Sequence, residues 1–63
     1  MTIHYTNETE RNLTLEEAIQ VQMMLKDGWK QSHIASHYHT NQGRISEIKT
    51  GKLHPQSFNL AFG

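Results

Sequence analysis

No cysteine occurs in this chain, which excludes a disulfide framework, an iron–sulfur site and a thiolate zinc finger, the usual staples of a short domain. Long apolar runs are missing as well: the densest stretch is Val21 to Leu25, and Gln22 interrupts it. A transmembrane helix or the hydrophobic region of a signal peptide has no place to sit, so no membrane partner and a cytoplasmic product are expected. Neither charge sign is in excess. Six basic residues face six acidic ones, a balance that argues against a nonspecific nucleic-acid coat. Catalysis lacks its parts too: no nucleophile has an evident base and orienter, no paired carboxylates stand apart, and no glycine-rich phosphate loop is present. A chain of 63 residues can hardly enclose a pocket, so no enzyme activity, cofactor or small-molecule substrate is expected.

What remains is one small domain at most. Hydrophobic residues make up 35% and charged residues 19%, so the core is thin and much of the surface stays wet. A second subunit or a nucleic acid is the expected source of extra stability. The charges are also unevenly placed. Residues 1 to 28 hold five acidic side chains (Glu8, Glu10, Glu16, Glu17, Asp27) against two basic, a net of −3. Residues 29 to 63 hold four basic (Lys30, Arg44, Lys49, Lys52) against Glu47 alone, a net of +3, together with four of the five histidines. Such a dipole hints at an anionic partner for the second half, although a solvated face accounts for many short charge excesses.

Along the chain, residues 1–13 are polar and read as an N-terminal arm, with an alternation from Thr2 to Thr6 that can pair as an edge strand. Thr14-Leu15-Glu16-Glu17 is a capping box, so a helix begins there. Leu15, Ala18, Ile19, Met23 and Leu25 give it apolar surface, Val21 and Met24 widen that surface, and Lys26-Asp27-Gly28 supplies a cation and a glycine for its end. Trp29 is expected to pack beneath the helices, and both Met23 and Met24 are expected in the core. A second helix runs from Lys30 or Gln31 to Tyr38 with Ile34, Ala35 and Tyr38 on one face. His39-Thr40-Asn41 reads as a turn, and a third helix from Gln42 buries Ile45 and Ile48 and stops at Thr50-Gly51. Leu53 can fold back on it. Residues 14–53 thus form the domain. After His54-Pro55, residues 54–63 read as a C-terminal tail in which Phe58, Leu60 and Phe62 alternate at period two, a strand-like pattern in need of a covering surface. The core, another subunit, or the Ile3 and Tyr5 segment could provide it.

Gln31 to Ile48 is the informative part. Two short helices, a turn of about three residues, single apolar anchors and a small residue at the crossing make a helix-turn-helix unit, because a side chain longer than Ala35 would hold the helices apart. The segment resembles the helix-turn-helix DNA-binding domains of phage and bacterial repressors at Ile34, Ala35, Tyr38, Ile45 and Ile48. Ile45-Ser46-Glu47-Ile48-Lys49-Thr50-Gly51-Lys52 is similar to the ending common in that family. Gln31 and Gln42 stand eleven residues apart, as the paired glutamines of lambdoid repressors do. In those proteins the first glutamine touches a phosphate and supports the second on an adenine. The resemblance runs from Leu13 to Leu53 and departs from the family at His39, where glycine is usual, and Thr40, where an apolar residue is usual. It implies an all-α, tri-helical helix-turn-helix fold, smaller than the lambdoid repressors and nearer a homeodomain-like or resolvase-type reader.

On that fold Gln42, Gly43, Arg44, Ser46 and Glu47 are the expected base-contacting residues in the major groove. Gln bonds adenine, Arg bonds guanine, Glu accepts from cytosine, and Gly43 lets the backbone approach. Lys30, Gln31, Ser32, Asn41, Lys49 and Lys52 are the expected phosphate contacts, several of them near helix amino-termini. Few cations mean weak binding by one copy, so a homodimer on half-sites about 34 Å apart is expected. Plain alternatives stand beside these roles: Arg44 and Glu47 can pair with each other, Gln42 can merely start its helix, and Lys49 and Lys52 can serve the helix dipole. His33 and His37 have metal-binding spacing, but no acidic residue flanks them, and solvated imidazoles are the expectation. The function expected is sequence-specific binding of double-stranded DNA by a small transcriptional repressor of bacterial, phage or mobile-element origin. The alternative is a protein-binding module that uses the same fold, or its apolar tail, to dock on a larger regulator.

Overall fold

A computed structural model gives the fold of residues 12–63. The alternation from Thr2 to Thr6, and any pairing with Ile3 and Tyr5, lie outside the described residues. Four helices follow in order: α1 (Leu15–Lys26), α2 (Gln31–His37), α3 (Gln42–Thr50) and α4 (Ser57–Phe62). The described residues form a small all-α unit with no strand among them.

The capping box at Thr14 is formed on both sides. The Glu17 amide donates to Thr14 Oγ1 at 3.1 Å, and the Thr14 amide donates to Glu17 Oε1 at 2.9 Å, so two donors that the first turn would leave orphaned are satisfied. Leu13, just before the cap, and Ala18, one turn inside it, both enter the core, the apolar complement of that box.

Helices α1, α2 and α3 stop by one device. Each is followed by a residue with positive φ: Gly28 at 95°, His39 at 58° and Gly51 at 86°. The next amide then reaches back to the helix's last turn: Trp29 N–H to the Met24 carbonyl at 3.1 Å, Thr40 N–H to Ala35 at 2.9 Å, and Lys52 N–H to Glu47 at 2.9 Å. Two of these positions have glycine, for which a left-handed backbone carries no Cβ penalty. The third has His39, at the place where the helix-turn-helix pattern usually has glycine.

The core holds Leu13, Ala18, Val21, Ile34, Ala35, Tyr38, Ile45 and Ile48, with Met24, Leu25 and Leu53 packed partly against it. Ala35 is buried, as its small size at a helix crossing requires. Tyr38 is buried as well, and its hydroxyl donates to Gln20 Oε1 at 2.6 Å, tying the end of α2 to α1.

Three expectations are corrected. Trp29 is 46% exposed, since it stands in the link between α1 and α2 and not on the buried face of either; its ring lies edge-on to His37, 6.4 Å away. Met23 is 45% exposed, because the inward face of α1 is the set Ala18, Val21, Gln22 and Leu25 at i, i+3, i+4 and i+7, which Met23 misses. The C-terminal tail is not strand-like but helical, so the described residues hold four helices where a tri-helical unit is expected. Its backbone bonds close within the segment, Leu60 N–H to the Gln56 carbonyl and Gly63 N–H to Asn59, and no strand among the described residues offers a ladder to join. Residues alternating at period two also contain an i, i+4 pair. Phe58 and Phe62 use it, with ring centroids 5.1 Å apart.

A polar joint holds α4 in place. Gln22 is buried in α1, and its Nε2 donates both to the Ile48 carbonyl of α3 at 2.9 Å and to Ser57 Oγ at the start of α4 at 3.0 Å. Ser57 itself is fully buried. His54, at φ 50°, turns the chain between α3 and α4, and its Nε2 lies 2.8 Å from the Leu13 carbonyl.

Candidate nucleic-acid interface

Helix α3 is anchored from behind by Ile45 and Ile48, both without exposed surface. That fixes which residues look outward. Gln42, Gly43, Lys49 and Thr50 are exposed, while Arg44, Ser46 and Glu47 are half-buried along the flanks of the buried stripe. The face is therefore polar and held on a rigid element.

Asn41 builds the start of this helix. Its Oδ1 accepts from the Arg44 amide at 3.0 Å, a standard amino-terminal cap. Gly43 fits that cap: a Cβ on it would lie only 3.0 Å from Asn41 Oδ1, so any side chain there presses on the capping carboxamide. A phosphate contact is the expectation for Asn41. With its oxygen committed to the cap, its amide nitrogen is the atom left for one.

Arg44 and Glu47 are brought together. Arg44 Nη1 donates to Glu47 Oε1 at 3.1 Å, with about a third of each side chain exposed (34% and 39%). An i, i+3 pair this wet is worth only about 0.3–0.5 kcal/mol. Arg44 Nε is shielded from solvent and has no partner. The guanidinium is thus tethered by one partly exposed ion pair, which costs little to open.

Lys30, Gln31 and Ser32 stand at the amino-terminal end of α2, Lys30 and Ser32 exposed and Gln31 half-buried. Lys52 is exposed just beyond α3. Lys49, exposed on α3, also lines a groove with Gln22, Leu25, Lys26, Phe58 and Phe62, on the side of α1 and α4. His37 is used in packing, its ring edge-on to Tyr38 at 4.8 Å. The described residues contain no group of three or more potential metal ligands. None of their helices is long and apolar enough to cross a membrane.

Sequence reasoning missed the joint of Gln22 with Ser57 and the groove beside it. The signal available was a glutamine at a core position of α1's helical period, where a buried amide must find partners. Among known proteins, no family model, no curated protein and no solved structure matches this chain.

Proposed function

We propose that this chain binds double-stranded DNA by sequence, through a helix-turn-helix formed by α2 and α3, and serves as a small transcriptional repressor acting as a homodimer on an operator. The observation that carries this reading is the polar side of α3, with Gln42 and Gly43 exposed and Arg44, Ser46 and Glu47 half-buried on its flanks, on a helix whose other side is locked by Ile45 and Ile48. A helix backbone held this way can present its polar side to the major groove, with only the Arg44–Glu47 pair to be opened. Gln42 suits adenine N6 and N7, Arg44 suits guanine O6 and N7, and Glu47, once Arg44 turns away, suits cytosine N4. Gly43 keeps the helix's first turn narrow. Lys30, Gln31, Ser32, the Asn41 amide nitrogen and Lys52 serve phosphates and set the register. No catalytic step belongs to this reading.

Selection of bound duplexes from a random pool tests it, followed by affinity measurements on the selected site across a range of salt. Binding is expected to weaken steeply as salt rises. Arg44→Ala costs about 1–3 kcal/mol on the preferred site and relaxes choice at one base pair, while Lys52→Ala weakens all sequences alike and lowers the salt slope by about one. No duplex bound at low salt, or unchanged selectivity in Arg44→Ala and Gln42→Ala, overturns it.

A further inference from the structure

The groove between α1 and α4 has about 440 Å³ of space and a mixed lining: Leu25, Phe58 and Phe62 are apolar, Gln22 is polar, and Lys26 and Lys49 are cationic. The apolar wall is open to solvent, with Phe58 56% and Phe62 39% exposed. No carboxylate is among the lining residues. Glu47, two residues before Lys49, is bonded to Arg44, and Asp27 sits in the turn past α1. Lys26 Nζ stands 5.1 Å from the centre of the Phe62 ring, so a cation is already held at the edge of the aromatic surface.

We propose that this groove receives an acidic amphipathic helix from a partner protein. A cleft between two helices suits a third, whose apolar residues at i, i+3 or i+4 and i+7 would cover Leu25, Phe58 and Phe62. Carboxylates on its flanks would meet Lys26 and Lys49. The competing occupants fit less well. A compact small molecule is enclosed over most of its surface in a true pocket, and a wall whose rings are 56% (Phe58) and 39% (Phe62) exposed does not enclose one. Two copies of this chain meeting symmetrically through the face would gather the lysines of both copies in one interface with no lining carboxylate to answer them, which electrostatic complementarity disfavours. A duplex offers phosphates to the lysines but nothing to the aromatic rings. The site does not depend on whether α3 reads DNA.

The test is selection of displayed random peptides of about 15 residues, long enough for several helical turns, on the full chain, with the bound peptides then mapped by amide chemical shifts. The selected peptides are expected to be acidic with apolar residues at helical spacing, and to shift Leu25, Lys26, Lys49, Phe58 and Phe62 rather than Gln42 to Glu47. A Lys26→Glu, Lys49→Glu double variant with unchanged circular dichroism and melting should bind them about tenfold or more weakly. Any of four results overturns the proposal: no peptide selected, basic or neutral peptides selected, equal binding by the charge-reversed variant, or self-association that Phe58→Ser abolishes, which would assign the groove to a second copy.

Discussion

The pair α2 and α3 hides its apolar side chains, whereas α4 leaves its own outside. Ile34, Ala35, Ile45 and Ile48 are all buried, so what that pair shows to water is polar. Phe58, Leu60 and Phe62 are exposed, and the one fully buried side chain of α4 is a serine. Two ways of attaching a helix are thus present in one short chain. Where attachment is apolar, the polar face is left over for a partner. Where attachment is a hydrogen-bonded joint, the apolar face is left over instead.

That contrast can be broken first at its strongest point. Ile45→Ala is expected to cost about 2–5 kcal/mol, enough to unfold much of so small a domain, while Phe58→Ala costs under about 1 kcal/mol because its ring is already largely wet. Urea denaturation of both variants decides, and similar losses would end the distinction. The joint comes next. Gln22→Leu strips Ser57 Oγ of its donor and should cost about 1–3 kcal/mol. Adding Ser57→Ala recovers part of that loss, since the hydroxyl is gone and the Ile48 carbonyl still accepts from the Gly51 amide at 3.3 Å. If the double variant is as damaged as the sum of both singles, α4 is held by something else. The smallest effect sharpens the apolar half. His39→Gly relieves a left-handed histidine and should stabilise by about 0.5–1 kcal/mol, raising the melting temperature by a few degrees. The same change at His54 should destabilise, because it also removes the ring beside the Leu13 carbonyl.

Legibility in the sequence follows the same division. The capping box, the helix ends and the buried faces of α2 and α3 were readable because each rests on local chemistry: a hydroxyl three residues before a carboxylate, a glycine after a cation, an alanine at a crossing. The start of α3 was readable as well, and so was the possible pairing of Arg44 with Glu47, which the structure forms. Trp29 and Met23 were misplaced because hydrophobicity alone says nothing of which way a turn sends the chain. The period of two across Phe58, Leu60 and Phe62 misleads because the same residues also satisfy an i, i+4 contact, and what holds the helix in place is the distant Gln22. A partner 35 residues away leaves no trace in the tail itself, only a glutamine at a core position of α1.

The buried serine also changes how this protein can be handled. Pro55 looks like a natural point at which to trim the chain, yet cutting there would delete the acceptor that Gln22 serves, bare Leu25 to solvent and remove the ring beneath the Lys26 ammonium. The last helix is a keystone rather than a loose end, and engineering that shortens it would unsettle α1 and α3 together.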